Sequence, residues 1–133
     1  MQIIKIDSIY DLAILESKIA IADTATSPDK FFDVKVGDHL FYMGLDTIES
    51  NKLQYAHVFK ISNAYINKIG TFKVGKRTIQ YFEFEGIGLH GYSGEPVFNN
   101  NGQVVGVIKG LRTKNGVIIN RAYSILPIIN DLF

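Results

Sequence analysis

The strongest constraint on this chain is a rhythm of two. Apolar and polar residues alternate through one stretch after another, rich in β-branched and aromatic side chains, and long 3.6-residue periods are missing. MQIIKI and DLAILE read as two short strands separated by DSIY, and KIAIAD as a further one. TATSPDK is polar, contains a proline, and reads as a connector. HLFYMGL, QYAHVFKIS, AYINKIG, TIQYFEFEG, PVFN, QVVGVIKG and GVIINRAYSI follow, spaced by Gly, Asn, Asp and Ser. The run from Asn99 to Gly102 and the run from Lys114 to Gly116 are strong hairpin turns, because Asn and Gly tolerate positive φ. Only LPIINDLF reads as a helix: Pro127 suits a first turn, and Ile128, Ile129 and Leu132 share a face. Many short strands at near-regular spacing predict an all-β antiparallel barrel or sandwich. There is no internal repeat and no low-complexity tract.

Composition narrows the functions available to such a fold. The 133 residues suit one domain, and 47% of them are hydrophobic, enough for a core. A chain of this size buries about two-thirds of its unfolded surface. Net charge is +1 with the basic residues scattered, which argues against a nucleic acid or an anionic membrane as partner. Cysteine is absent, so disulfides, thiolate metal sites and a cysteine nucleophile are excluded together. No apolar run approaches the roughly 18 residues that span a bilayer. Met1 is followed by an alternating strand pattern with charges rather than a signal-peptide core, so a soluble chain is expected and its compartment is unread.

Chemistry concentrates in GLHGYSGEPVFNNNGQVVGVIKG, Gly88 to Gly110. A serine hydroxyl attacks well only where the backbone lets a carbonyl come close and free N–H groups face the developing oxyanion. Gly91 and Gly94 flanking Tyr92–Ser93 provide that approach, although G-x-S-G alone also marks ordinary turns. The hydrolase nucleophile elbow, G-x-S-x-G between strand and helix, is ruled out: Glu95 stands at the fifth position, and Pro96 and a hairpin follow.

GYSGEPVFNNNGQVVGV resembles the nucleophile segment of the chymotrypsin/trypsin-like serine peptidases. DLAILE resembles their aspartate segment, with Asp7 four residues before Asp11 also fitting. VKVGDHLFYMGLD is similar to the strand opening the second barrel in bacterial HtrA-type members, and NRAYSILPIINDLF to their closing strand and helix. The resemblance implies an antiparallel Greek-key β-barrel, the second of a trypsin-like pair. Residues 1–22 would be the last strands of an incomplete first barrel, 23–34 a connector, and 35–133 the second barrel with its C-terminal helix. It makes Ser93 the nucleophile, gives the oxyanion hole to the backbone of Gly91 and Ser93, and has Asp11 orient a histidine. Ile87 would lie at the base of an uncharged specificity pocket and His90 at its mouth. GVIKG, with Lys109 and Gly110, would pair with an extended peptide substrate. Gly116 would help open the pocket wall.

The family's histidine lies several tens of residues before the aspartate, and Asp11 is only ten residues from Met1. His39 and His57 read as strand residues away from the serine, and His90 is tethered too closely to Ser93 for a base. None of the three has metal-ligand spacing, and neither metal nor other cofactor is expected. Tyr92 stands where zymogen-activated members carry an aspartate, so that switch is not expected. Glu95 reads as a solvent-facing carboxylate beside a turn, and Lys109 as an outward-pointing charge. The expectation is a serine endopeptidase domain or fragment that hydrolyses peptide bonds once a histidine is supplied, and is inactive alone. The alternatives are an inactive trypsin-like module that binds extended peptides, or a structural domain keeping the motif as a relic. Strands within residues 1–16 should have open edges and pair with a second copy or an upstream partner, or be disordered.

Overall fold

The computed structural model describes residues 1–22, 26, 33–51, 54–88 and 92–133. Two strands, β1 (Gln2–Asp7) and β2 (Leu12–Glu16), form an antiparallel hairpin. The rest of the described chain is a closed antiparallel barrel of β3 (His39–Asn51), β4 (Gln54–Val74), β5 (Arg77–Glu85), β6 (Pro96–Phe98), β7 (Val104–Lys114) and β8 (Val117–Ser124). A single helix, α1 (Ile125–Leu132), follows. Round the ring the order is β3-β4-β5-β8-β7-β6, so the chain leaves β5 and crosses to the far side, where β6 pairs with both β3 and β7. The expected barrel is therefore present, and the sandwich is not. Among the described residues no helix is long and apolar enough to cross a membrane.

Alternation explains the core. Leu40, Tyr42, Ala64, Ile66, Phe82, Phe84, Val97, Val105, Ile108 and Ala122 point inward from successive strands and pack as one cluster. The β7–β8 turn forms where Asn115 and Gly116 take φ of 52° and 78°, as their side chains permit. Pro127 sits in the first turn of α1, where its missing N–H costs nothing.

Two strand assignments differ from the sequence reading. QYAHVFKIS and AYINKIG belong to one long strand, β4, because Ser62 and Asn63 stay in the ladder opposite Tyr42 and Phe41 instead of turning. KIAIAD is not a strand. The Ser17 hydroxyl donates to the Ile19 carbonyl (2.7 Å) and accepts from its amide, folding the segment locally and leaving Ile19 and Ile21 exposed. Most of the connector lies outside the described residues.

The hairpin is fastened to the barrel at its turn. Asp7 Oδ1 accepts from the amides of Ile9 (3.0 Å) and Tyr10 (2.9 Å), and Arg77 of β5 donates to Oδ2 at 2.5 Å. Tyr10 is thereby buried against Ile79 and Ile128, with the Arg77 guanidinium over its ring and its hydroxyl donating to Asp131 of α1. Away from the turn the hairpin is bare: Ile3, Ile4, Ile6 and Leu15 are 52–68% exposed, and no third strand pairs with it among the described residues.

Candidate active site

Ser93 lies in the tight turn entering β6. Tyr92 O accepts from Glu95 N (3.1 Å), Gly94 N donates to Ile108 O (2.7 Å), and Ile108 N donates to Glu95 O (2.9 Å), pinning the turn to β7. Gly94 takes φ of 92°, a conformation that strains any residue with a Cβ. Below the turn Tyr92 is fully buried in the core, its ring so close to Gly44 that a Cβ there would overlap it. That anchor leaves Ser93 on the surface. Its hydroxyl donates to the carbonyl of Lys109 at 3.3 Å, and its amide takes no partner among the described residues.

Asp11 arrives from the opposite end of the chain. It occupies the β1–β2 turn with φ of 56°, and its carboxylate is exposed. Lys109 Nζ donates to Asp11 Oδ2 (3.2 Å) and to its carbonyl (3.1 Å). One residue of β7 therefore holds both candidate groups: the serine at its carbonyl, the aspartate at its ammonium. The expectation of an outward-pointing Lys109 is corrected. The side chain is only 16% exposed and lies over the Tyr123 ring, because the carboxylate and the ring face draw the cation inward. Asp7, the other candidate acid, is fully used by its turn and by Arg77. These contacts, led by the Arg77 hydrogen bond, hold its carboxyl below the usual range.

The other expected site residues are distributed unevenly. Gly91 and His90 lie outside the described residues. Ile87 is 53% exposed on the rim, while its carbonyl accepts the buried Tyr42 hydroxyl at 2.7 Å. Gly88 is packed on the Asn120 amide so tightly that a Cβ would overlap its Oδ1. Gly116 sits in the β7–β8 hairpin turn with φ of 78°. His39 is bonded to Asn100 (2.8 Å) and flanked by Phe41 and Tyr65, none of them in the Ser93 turn. The side chain of His57 lies outside the described residues.

Sequence reasoning missed two features beside the site. Asn120 is completely buried at an inward position of β8, with neither amide atom partnered among the described residues. Lys109 and Gly110 line an open concavity of about 360 Å³ with Glu83, Leu111, Arg112, Ile119, Arg121 and Tyr123. Alternation puts Glu83 and Arg121 on the face opposite Phe82, Phe84 and Ala122, but it does not show that they meet each other or Arg112.

No family model matches the sequence, and no curated protein matches it. Among solved structures it is similar to the protease domain of MamO from Magnetospirillum magneticum in its apo form, with a TM-score of 0.71 and 18% identity. That match covers 99% of this chain and 67% of the MamO domain. With its closed antiparallel barrel, serine turn and C-terminal helix, this chain has a trypsin-like protease fold.

Proposed function

We propose that this chain is the serine- and aspartate-bearing part of a trypsin-like serine peptidase of HtrA type. Ser93 is the nucleophile, the amides of Ser93 and Gly91 form the oxyanion hole, and Asp11 orients an imidazole supplied by a segment packed on the β1–β2 hairpin. In hydrolysis the imidazole takes the serine proton as the hydroxyl attacks the peptide carbonyl. It then returns that proton to the leaving amine as the C–N bond breaks, and a water deprotonated by the same imidazole attacks the acyl-enzyme, breaking the ester and restoring the Ser93 hydroxyl. The carrying observation is the convergence of the Ser93 hydroxyl and the Asp11 carboxylate on Lys109, with the Ser93 amide free among the described residues. Substrate would lie along β7, where Lys109–Lys114 has no strand partner on the side away from β8 among the described residues. The bare isoleucines of the hairpin support residues 1–22 as the last strands of a first barrel needing a cover, from an upstream segment or a second copy.

A second reading, an inactive module that binds extended peptides, is favoured by the Lys109 ammonium occupying the carboxylate that an imidazole needs. A fluorophosphonate probe with and without added imidazole separates the two. Under the peptidase reading, imidazole accelerates adduct formation on Ser93, seen by intact mass, and Ser93→Ala abolishes it. Absence of any Ser93 adduct at high imidazole overturns that reading and leaves the binding module.

A further inference from the structure

Beside the serine, the outer face of β5, β8 and β7 carries a charge arrangement that the proposed chemistry does not use. Glu83 is buried at 1% exposure, yet it sits on the outside of the sheet. Two guanidiniums cover it. Arg112 donates through Nε (3.4 Å) and Nη2 (3.2 Å), and Arg121 through Nε and Nη2 (3.3 Å each), with Lys68 Nζ 3.8 Å away. Burial works against the Glu83 anion, but the hydrogen bonds and charge of Arg112 and Arg121 outweigh it and hold the carboxyl below its usual range. Three cations thus surround one carboxylate, leaving two positive charges without an anion among the described residues. Glu85, the next outward acid on β5, lines a separate concavity with Asn63, Ala64, Tyr65 and Asn67.

Both guanidiniums are held in place. Glu83 fixes one edge of each, and Arg121 also stacks on the Tyr81 ring at 3.9 Å. A guanidinium has five N–H donors, and each of these commits only two to Glu83, leaving three without a partner among the described residues, on side chains that line the concavity. Register then opens a way in. Glu83 lies opposite Arg121, and Arg121 opposite Gly110, so the row across the sheet ends at the unpaired edge of β7 on a residue with no side chain. Apart from its chain neighbours, no described residue stands within 4 Å of where a Gly110 Cβ would be. A strand laid along that edge therefore has one side chain beside Gly110 with open access to Arg121 and Arg112.

We infer that this concavity is a recognition pocket for an acidic side chain of the bound peptide. Resting on the proposed strand addition to β7, it makes the preferred substrate class extended peptides carrying Asp or Glu on the side that lies along Lys109–Arg112. The carboxylate enters over Gly110 and takes a forked pair of N–H donors from Arg112 or Arg121. Leu111, Ile119 and Tyr123 line the pocket around the stem of that side chain.

The test compares fluorescein-labelled heptapeptides, identical except for Glu, Gln or Lys at each position in turn, by anisotropy against the whole chain. At low ionic strength the Glu peptide at one position should bind at least about threefold more tightly than its Gln counterpart, and the gap should close toward 0.5 M salt. Arg112→Gln should remove the preference, while Arg112→Lys, which keeps the charge but loses the fork, should keep part of it. If Arg112→Gln does not fold, the wild-type Glu/Gln ratio and its salt dependence decide. Peptides that bind with no position favouring Glu overturn the acidic pocket and leave strand addition standing. Failure of every peptide to bind overturns the pocket, while Ser93 labelling still reports separately on the peptidase reading.

Discussion

Replacing Tyr92 by Phe should make this protein more stable, and the reason lies directly beneath the serine. The Tyr92 side chain is 1% exposed and its hydroxyl has no hydrogen-bond partner among the described residues. Burying a hydroxyl without compensation costs about 1–3 kcal/mol on mutational scales. Phe keeps the ring, its edge contact with Tyr42 and its packing on Gly44, and leaves only the small void of one oxygen. The net expectation is a gain of roughly 0.5–1.5 kcal/mol, a rise in Tm of roughly 2–5 °C for a domain of this size. Urea unfolding with an unchanged m-value is the assay. Gly44→Ala is the opposing control, because its methyl would enter the Tyr92 ring. It should cost about 1–3 kcal/mol and, by tilting the residue next to Ser93, slow imidazole-assisted adduct formation there. Loss of more than about 1 kcal/mol in Tyr92→Phe would refute the reasoning, since it would mean that the hydroxyl is bonded and holds the turn in place.

Two further outcomes follow from the same contacts. The folded-state carboxyl of Asp7 is depressed by Arg77 and by the Tyr10 and Ile9 amides, so its contribution to stability is present above the unfolded value near 3.8 and is lost as pH falls through the lower folded one. Stability curves measured from pH 7 down to pH 2 should therefore flatten at the acid end in Asp7→Asn; an unchanged slope would show that the Arg77 contact does not fasten the hairpin. Gly88→Ala should destabilise by about 1–3 kcal/mol, because the new methyl meets the buried Asn120 amide, and Asn120→Ala should relieve most of that cost in the double mutant. Additive effects would show that the two residues do not touch.

The fold was legible because alternation is a local code. A residue's face follows from its position along a strand, and Asn115–Gly116 or Pro127 act through their own φ preferences. The same locality explains the errors. Ser62–Asn63 has turn-prone chemistry, but pairing with Tyr42 and Phe41 keeps it extended, and KIAIA alternates correctly yet finds no strand to pair with among the described residues.

Sequence alone determined the strand rhythm, the turns, the serine between glycines and the absence of cysteine. Tertiary structure alone decided which distant groups meet: Asp11 with Lys109 across the width of the chain, Asp7 with Arg77, Glu83 with Arg112 and Arg121, and Gly88 with Asn120. Alternation fixes the face on which a side chain emerges, but not the register that brings it opposite a partner. Register is set by barrel closure and the bulge between Ile108 and Gly110, which depend on every strand at once.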